Sequence, residues 1–192
     1  MTSGIQLTDG LVLMWPLQTS DIVPSYEAVR ESIAEISPWM VWCHPDYSME
    51  EAANWVNSCL TAWSKGTEYQ FAITDAKGGS FLGGCGLNRI DPQHRWANLG
   101  YWVRISQTRR GVATAATLLV ARFAFDELKL NRVEMVVATG NTASLLVAEK
   151  VGATREGLLR SKLLVHGKVH DAVMFSLIRG GLESLEEDRS TD

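Results

Sequence analysis

The segment Thr108-Arg109-Arg110-Gly111-Val112-Ala113-Thr114 places two arginines ahead of a run of small residues, between a predicted strand and a predicted helix. A helix start leaves backbone N–H groups unpaired and carries the positive end of the helix dipole. Small residues let a pyrophosphate approach those amides, and arginines add charge. The same segment also reads as an ordinary basic loop before an amphipathic helix. Asn141 and Ser144 form a second constellation. They fall just after a strand, three residues apart at the start of a helix, so they share a face. Asn141 or Thr142 can cap that helix, and capping is compatible with a ligand contact. Four histidines and three cysteines show no metal-ligand spacing, so no metal is expected.

These segments need elements to hold them. An apolar strand at 11–15 stops at Pro16. Ser20-Asp21 then offers a cap for a helix with Ile22, Tyr26, Val29, Ile33 and Ile36 at helical spacing, ended by Pro38. Ser48 caps a second helix that runs to about Trp63, with Glu50 and Glu51 in its first turn and Gly66 closing it. Strands are predicted over 69–74, 81–90 and 96–103, as an antiparallel meander. A loop over 104–110 leads into a long helix over 111–128. A strand over 132–139 and a helix over 142–150 follow. A hairpin of 154–165 and 168–178, turning at His166-Gly167, completes the pattern. The order predicts an α/β sandwich on a mixed sheet, with one domain over 8–180 and an acidic, frayed tail over 183–192.

The chain has 192 residues, 46% of them hydrophobic and 21% charged, which suits one globular core. No apolar run approaches the ~20 residues of a membrane helix, and the start lacks a signal-peptide pattern, so a cytoplasmic protein is expected. Cys43, Cys59 and Cys85 are odd in number and far apart, which argues for buried thiols rather than disulfides. The net charge of −4 conceals an asymmetry. Residues 1–75 carry ten acidic and two basic side chains, residues 76–182 seven acidic and fifteen basic, and the last ten five acidic and one basic. Such a chain can join an anionic ligand to a cationic one. A pI of 5.6 argues against a nucleic-acid partner.

The 108–114 segment resembles the (Q/R)-x-x-G-x-(G/A) acetyl-CoA signature of the GNAT N-acetyltransferases. Gly111 and Ala113 match, and Thr108 stands where Gln or Arg is usual. Asn88-Arg89-Ile90-Asp91-Pro92, Leu99-Gly100-Tyr101-Trp102-Val103 and Asn141-Thr142-Ala143-Ser144 are similar to the RimJ/RimL branch. So are Glu149-Lys150-Val151-Gly152-Ala153, Gly167 with Asp171, and Trp39-Met40-Val41-Trp42. The resemblance covers roughly residues 8–180. It implies a GNAT fold, a mixed central sheet with two splayed parallel strands and flanking helices. It also implies acetyl-CoA as cosubstrate, with the amine attacking the thioester directly and no acyl-enzyme.

On that resemblance, the pantetheine arm pairs with backbone near Trp102, Val103 and Ile105. The pyrophosphate sits on Arg109, Arg110, Gly111, Val112, Ala113 and Thr114. Asn141 contacts the cofactor, and the Ser144 hydroxyl helps protonate the leaving thiolate. Trp39 and Trp42, in a Pro-bounded link, wall the acceptor site. Many relatives carry Glu where this chain has Asn98, which can hold a water or the acceptor but cannot take a proton at neutral pH. Glu68 is the leading candidate for the base, followed by Glu134, with His44, His94 and ordered water as further options. Trp55 and Trp63 read as core.

The function so implied is acetyl transfer from acetyl-CoA to a primary amine. The acceptor is a protein N-terminus of the ribosomal-protein Ser/Ala type or a small-molecule amine, and a homodimer is the expected assembly. The alternative is a non-catalytic CoA-binding sensor, kept open by Asn98.

Overall fold

A computed structural model describes residues 4–77 and 79–181. The expected acidic tail over 183–192 lies outside them. An eight-stranded sheet runs in the order β1-β2-β3-β4-β5-β6-β8-β7. Its strands are β1 (Leu7–Thr8), β2 (Val12–Pro16), β3 (Tyr69–Asp75), β4 (Phe81–Asp91), β5 (Trp96–Val103), β6 (Arg132–Ala138), β7 (Thr154–Val165) and β8 (Lys168–Ile178). Among the described residues, every pairing is antiparallel except β5 with β6.

That parallel pairing is short. Trp96, Ala97 and Asn98 face Arg132, Val133 and Glu134, and the ladder stops there, although β5 continues to Val103 and β6 to Ala138. The two strands therefore diverge, and the stretch of β5 after Asn98 has no β6 partner. This is the splay that the resemblance implied.

The helices are α1 (Ile22–Glu31), α2 (Ile33–Ile36), α3 (Met49–Lys65), α4 (Val112–Asp126) and α5 (Thr142–Lys150). One core lies against α4. Ala116, Val120, Ala121 and Ala124 are buried there with Leu87, Ala97, Val133 and Phe175. A second core packs Ala28 and Val29 of α1 and Ala52 and Val56 of α3 with Ala72, Phe81 and Trp102. Apolar α4 is thus buried on most of its surface, while α3 keeps a polar face. Trp63 packs with Tyr69, Phe71 and Phe123, as a core residue should. Cys43, Cys59 and Cys85 are buried thiols, and burial raises all three pKa values.

Gly83 of β4 is required by close packing. A Cβ there would overlap the Trp102 carbonyl, and its φ of +154° is unfavourable for other residues. Trp102 can therefore sit tight in the second core at 8% exposure.

The predicted helix from 22 to 36 is not continuous; it breaks at Ser32. The Ser32 hydroxyl donates to the Ala28 carbonyl (2.7 Å) and accepts the Ile105 N–H (2.9 Å). Beside it, Glu31 accepts from Arg104 Nε (2.6 Å). The end of α1 is thus tied to the loop after β5, and a serine bonded back to the i−4 carbonyl favours a bend. Periodicity could not show this, because the partner is 73 residues away.

Candidate functional site

The loop after β5 makes a 3-10 turn at Ile105–Gln107 and reaches α4 through two left-handed residues, Arg109 (φ +62°) and Gly111 (φ +82°). Glycine tolerates this conformation without the cost that a Cβ adds. Gly111 is the N-cap of α4, and among the described residues no side chain caps the helix. The first amides of a 15-residue helix are therefore left to something outside the chain.

α5 begins differently. Asn141 Oδ1 accepts the Ser144 N–H at 3.1 Å, so this start is capped from within. The cap fixes the turn that carries Ser144. Tyr101 comes from β5 to the same turn, its hydroxyl donating to the Ser144 carbonyl over 3.4 Å. Burial pushes the Tyr101 pKa to about 12, so its phenol stays protonated and can donate. Sequence reasoning missed Tyr101 because the contact spans 43 residues. The pattern Leu99-Gly100-Tyr101-Trp102-Val103 was its only signal.

A cavity of about 650 Å³ lies between the two helix starts. Trp102, Val103, Ile105, Arg109, Gly111, Val112, Ala113 and Thr114 line one side, and Asn141 and Ser144 the other. Tyr101 lines it as well, with Glu35, Trp39 and Lys150, of which only Trp39 was expected. Arg110 is absent from the lining; its guanidinium donates to Gln107 Oε1 at 2.7 Å.

The other expected residues scatter. Trp39 joins the first cavity and stands edge-on to His170, 6.1 Å between centroids. The Nε2 of His170 is buried and has no hydrogen-bond partner among the described residues. Trp42 faces a second cavity of about 300 Å³ with His44, Tyr47, Glu51 and Trp55. The two tryptophans are therefore not one wall. Trp55 packs against the second core and also borders this cavity.

Asn98 donates to Asn88 Oδ1 at 3.0 Å and lines neither cavity. Glu68 also lines neither; it lies in the link from α3 to β3, where its charge helps raise the Cys59 pKa. The structure thus does not bring the leading base candidate to the cavity. Glu134 is held by Arg132 at 2.7 Å, and His94 pairs with Asp91 on an exposed turn.

The chain is similar to known acetyltransferases. A family model described as an acetyltransferase (GNAT) domain matches residues 12–154. YdaF of Bacillus subtilis (strain 168), a candidate ribosomal N-acetyltransferase, is 40% identical over 101 residues, covering 53% of this chain and 55% of that protein. The chain thus matches little more than half the length of that relative. The ribosomal-protein-serine acetyltransferase of Escherichia coli (strain K12) is 22% identical over 178 residues, 93% of this chain and 98% of that one. Among solved structures, Mycobacterium smegmatis RimJ in complex with CoA-disulfide superposes with a TM-score of 0.80 at 26% identity, covering 93% of this chain and 88% of that one.

Proposed function

The chain belongs to the GNAT acetyltransferase family, and from that premise we propose that it moves the acetyl group of acetyl-CoA onto a primary amine. The observation that carries this reading is the uncapped start of α4 at Gly111, facing the Ser144 turn across one cavity. The amides of Val112, Ala113 and Thr114, with Arg109 beside them, hold the pyrophosphate. The unpaired edge of β5 near Trp102 and Val103 takes the extended pantetheine arm, as a sheet edge takes a strand. Arg110 supports the loop through Gln107 rather than reaching the ligand.

The amine nitrogen attacks the thioester carbonyl, so a C–N bond forms and the C–S bond breaks. The departing thiolate accepts a hydrogen bond from the Ser144 hydroxyl and takes its proton from water, directly or through that hydroxyl as water reprotonates the serine oxygen. The Tyr101 phenol, which holds the Ser144 carbonyl, is a second donor only if it turns from that bond. The amine's surplus proton leaves to water, since a free N-terminal amine with a pKa near 8 is partly neutral already. Glu68, which does not line the cavity, is not needed as the base.

The acceptor we favour is a protein N-terminus of the ribosomal-protein type, by analogy with the relatives' names, and small amines are the other class to test. An acceptor screen with acetyl-CoA and thiol detection decides this, using peptides with N-terminal Ser or Ala and small amines. Thiol release with any of them supports transfer. Silence across the screen with tight CoA binding makes the chain a CoA-binding sensor, the reading that Asn98 at a usual Glu position supports.

A further inference from the structure

We propose that the second cavity, lined by Val41, Trp42, His44, Tyr47, Glu51 and Trp55, is a cation-binding box for a second positive group of the acceptor, an ammonium or guanidinium apart from the amine that is acetylated. The proposal rests on the amine-acceptor reading above.

Three aromatic side chains and one carboxylate share this 300 Å³ space. Trp42 meets Tyr47 edge-on at 5.8 Å, and the His44 ring meets Tyr47 at 6.3 Å. Aromatic faces attract cations through the ring quadrupole, most strongly for tryptophan. Glu51 adds a formal charge. Its Oε2 accepts the Ser48 N–H (2.9 Å) and hydroxyl (2.8 Å), and its Oε1 accepts His44 Nε2 (2.7 Å). A carboxylate oxygen accepts more than one hydrogen bond, so Oε1 keeps capacity for an incoming N–H. These bonds, Ser48's first, hold the Glu51 pKa down at about 2, and the group stays anionic. Tyr47 is neutral, its pKa pushed up to about 12 by burial.

Among the described residues, no lysine or arginine lines the box. Arg30, the guanidinium that reaches this loop, donates to the carbonyls of Pro45 and Tyr47. The dipole at the start of α3 offsets part of Glu51's charge, so the rings have to supply part of the attraction. The box also adjoins the first cavity. Trp42 stands edge-on to Trp102, 6.0 Å between centroids, and Trp102 lines the larger space. Residues 1–75, which build the box, sum to −8, the right sign for steering a dication.

The test is a calorimetric titration at pH 8 with tetramethylammonium and tert-butanol, a neutral alcohol of the same tetrahedral shape and heavy-atom count, in the absence of acetyl-CoA. The cation should bind saturably and the alcohol about tenfold more weakly. Glu51→Gln keeps the shape of the helix cap and should weaken the cation about tenfold while leaving the alcohol unchanged. Trp42→Leu keeps an apolar side chain and should show the same selective loss. A parallel assay compares 1,6-diaminohexane with 1-aminohexane as acceptors, and Glu51→Gln should erase the diamine's advantage in kcat/KM. Equal binding of cation and alcohol, or cation binding indifferent to Glu51→Gln and Trp42→Leu, overturns the box. Acetyl transfer without cation selectivity also overturns it and leaves the transfer reading standing. Cation selectivity without transfer to any amine supports the box as a cation site and overturns the transfer reading.

Discussion

The starts of α4 and α5 border the same cavity but end their hydrogen-bond ladders in opposite ways. At α4 the N-cap is Gly111, left-handed and, among the described residues, without a side-chain cap. At α5 the Asn141 side chain takes the Ser144 amide itself. An uncapped start suits an anion brought from outside, whereas a capped start has spent that capacity on its own rigidity. The difference separates binding from chemistry: α4 offers bare amides, and α5 offers a fixed turn presenting a hydroxyl.

The largest expected effect attacks the open start. Gly111→Glu sets a negative charge where the pyrophosphate belongs and forces a Cβ into a left-handed position. Calorimetry should show acetyl-CoA affinity falling by roughly 100-fold or more. Gly111→Asn, which tolerates the same backbone, separates strain from charge and should retain measurable binding. Unchanged affinity in the Glu variant would remove the loop from the site and erase the contrast between the helices.

The second prediction attacks the closed start. Ser144→Ala should keep acetyl-CoA affinity within a few-fold while kcat drops roughly 10- to 100-fold. The lower end of general-acid effects is expected because a thiolate with a pKa near 8.5 leaves tolerably well. Tyr101→Phe is the rival measurement. If the phenol is the donor, the loss appears in Tyr101→Phe, and Ser144→Ala retains a normal kcat.

How far these features were legible in the sequence depends on the range of the contact. Gly111, Ala113 and Arg109 form a local pattern, and so do Asn141 and Ser144, so both helix starts could be read from a few neighbouring residues. The Ser32 break depends on Ile105, and Tyr101's place depends on Ser144, partners 73 and 43 residues off. Trp39 and Trp42 show another limit. Three residues apart, they would share a helix face, but α2 ends at Ile36 and α3 begins at Met49, so they stand in an irregular link and face different cavities. Glu68 was chosen by charge and nearness to a strand, and neither property places it in the cavity.

The third prediction measures the α5 cap itself. Asn141→Ala should cost about 1 kcal/mol of stability, a fall in Tm of roughly 2–4 °C for a domain of this size. The Ser144 turn should fray with it, so kcat should fall a few-fold with little change in acetyl-CoA affinity. A melt and steady-state kinetics on the same preparation check both. An affinity loss larger than the kcat loss would mean that Asn141 serves the ligand more than the helix.

The smallest effect at neutral pH is expected at α3, the most fully capped start of the three. Ser48 Oγ accepts the Glu51 N–H while Glu51 accepts the Ser48 N–H, so donors on both residues are satisfied reciprocally. Folding lowers the Glu51 pKa from 4.5 to about 2, mainly through Ser48 and His44. A carboxylate whose pKa is depressed on folding binds fewer protons folded than unfolded in that window. Its stabilisation is therefore complete above about pH 4.5 and is lost as pH falls through the folded value. Glu51→Gln preserves the reciprocal cap, because glutamine reaches back equally well, but it cannot titrate. Urea unfolding followed from pH 7 to pH 2.5 should show the variant slightly less stable at pH 7, where the exposed Glu51 charge adds its small share, and a shallower decline below pH 4.5 that closes the gap. Parallel acid limbs would show that the Glu51 charge adds nothing to the cap, and α3 would then be closed by geometry alone, as α5 is.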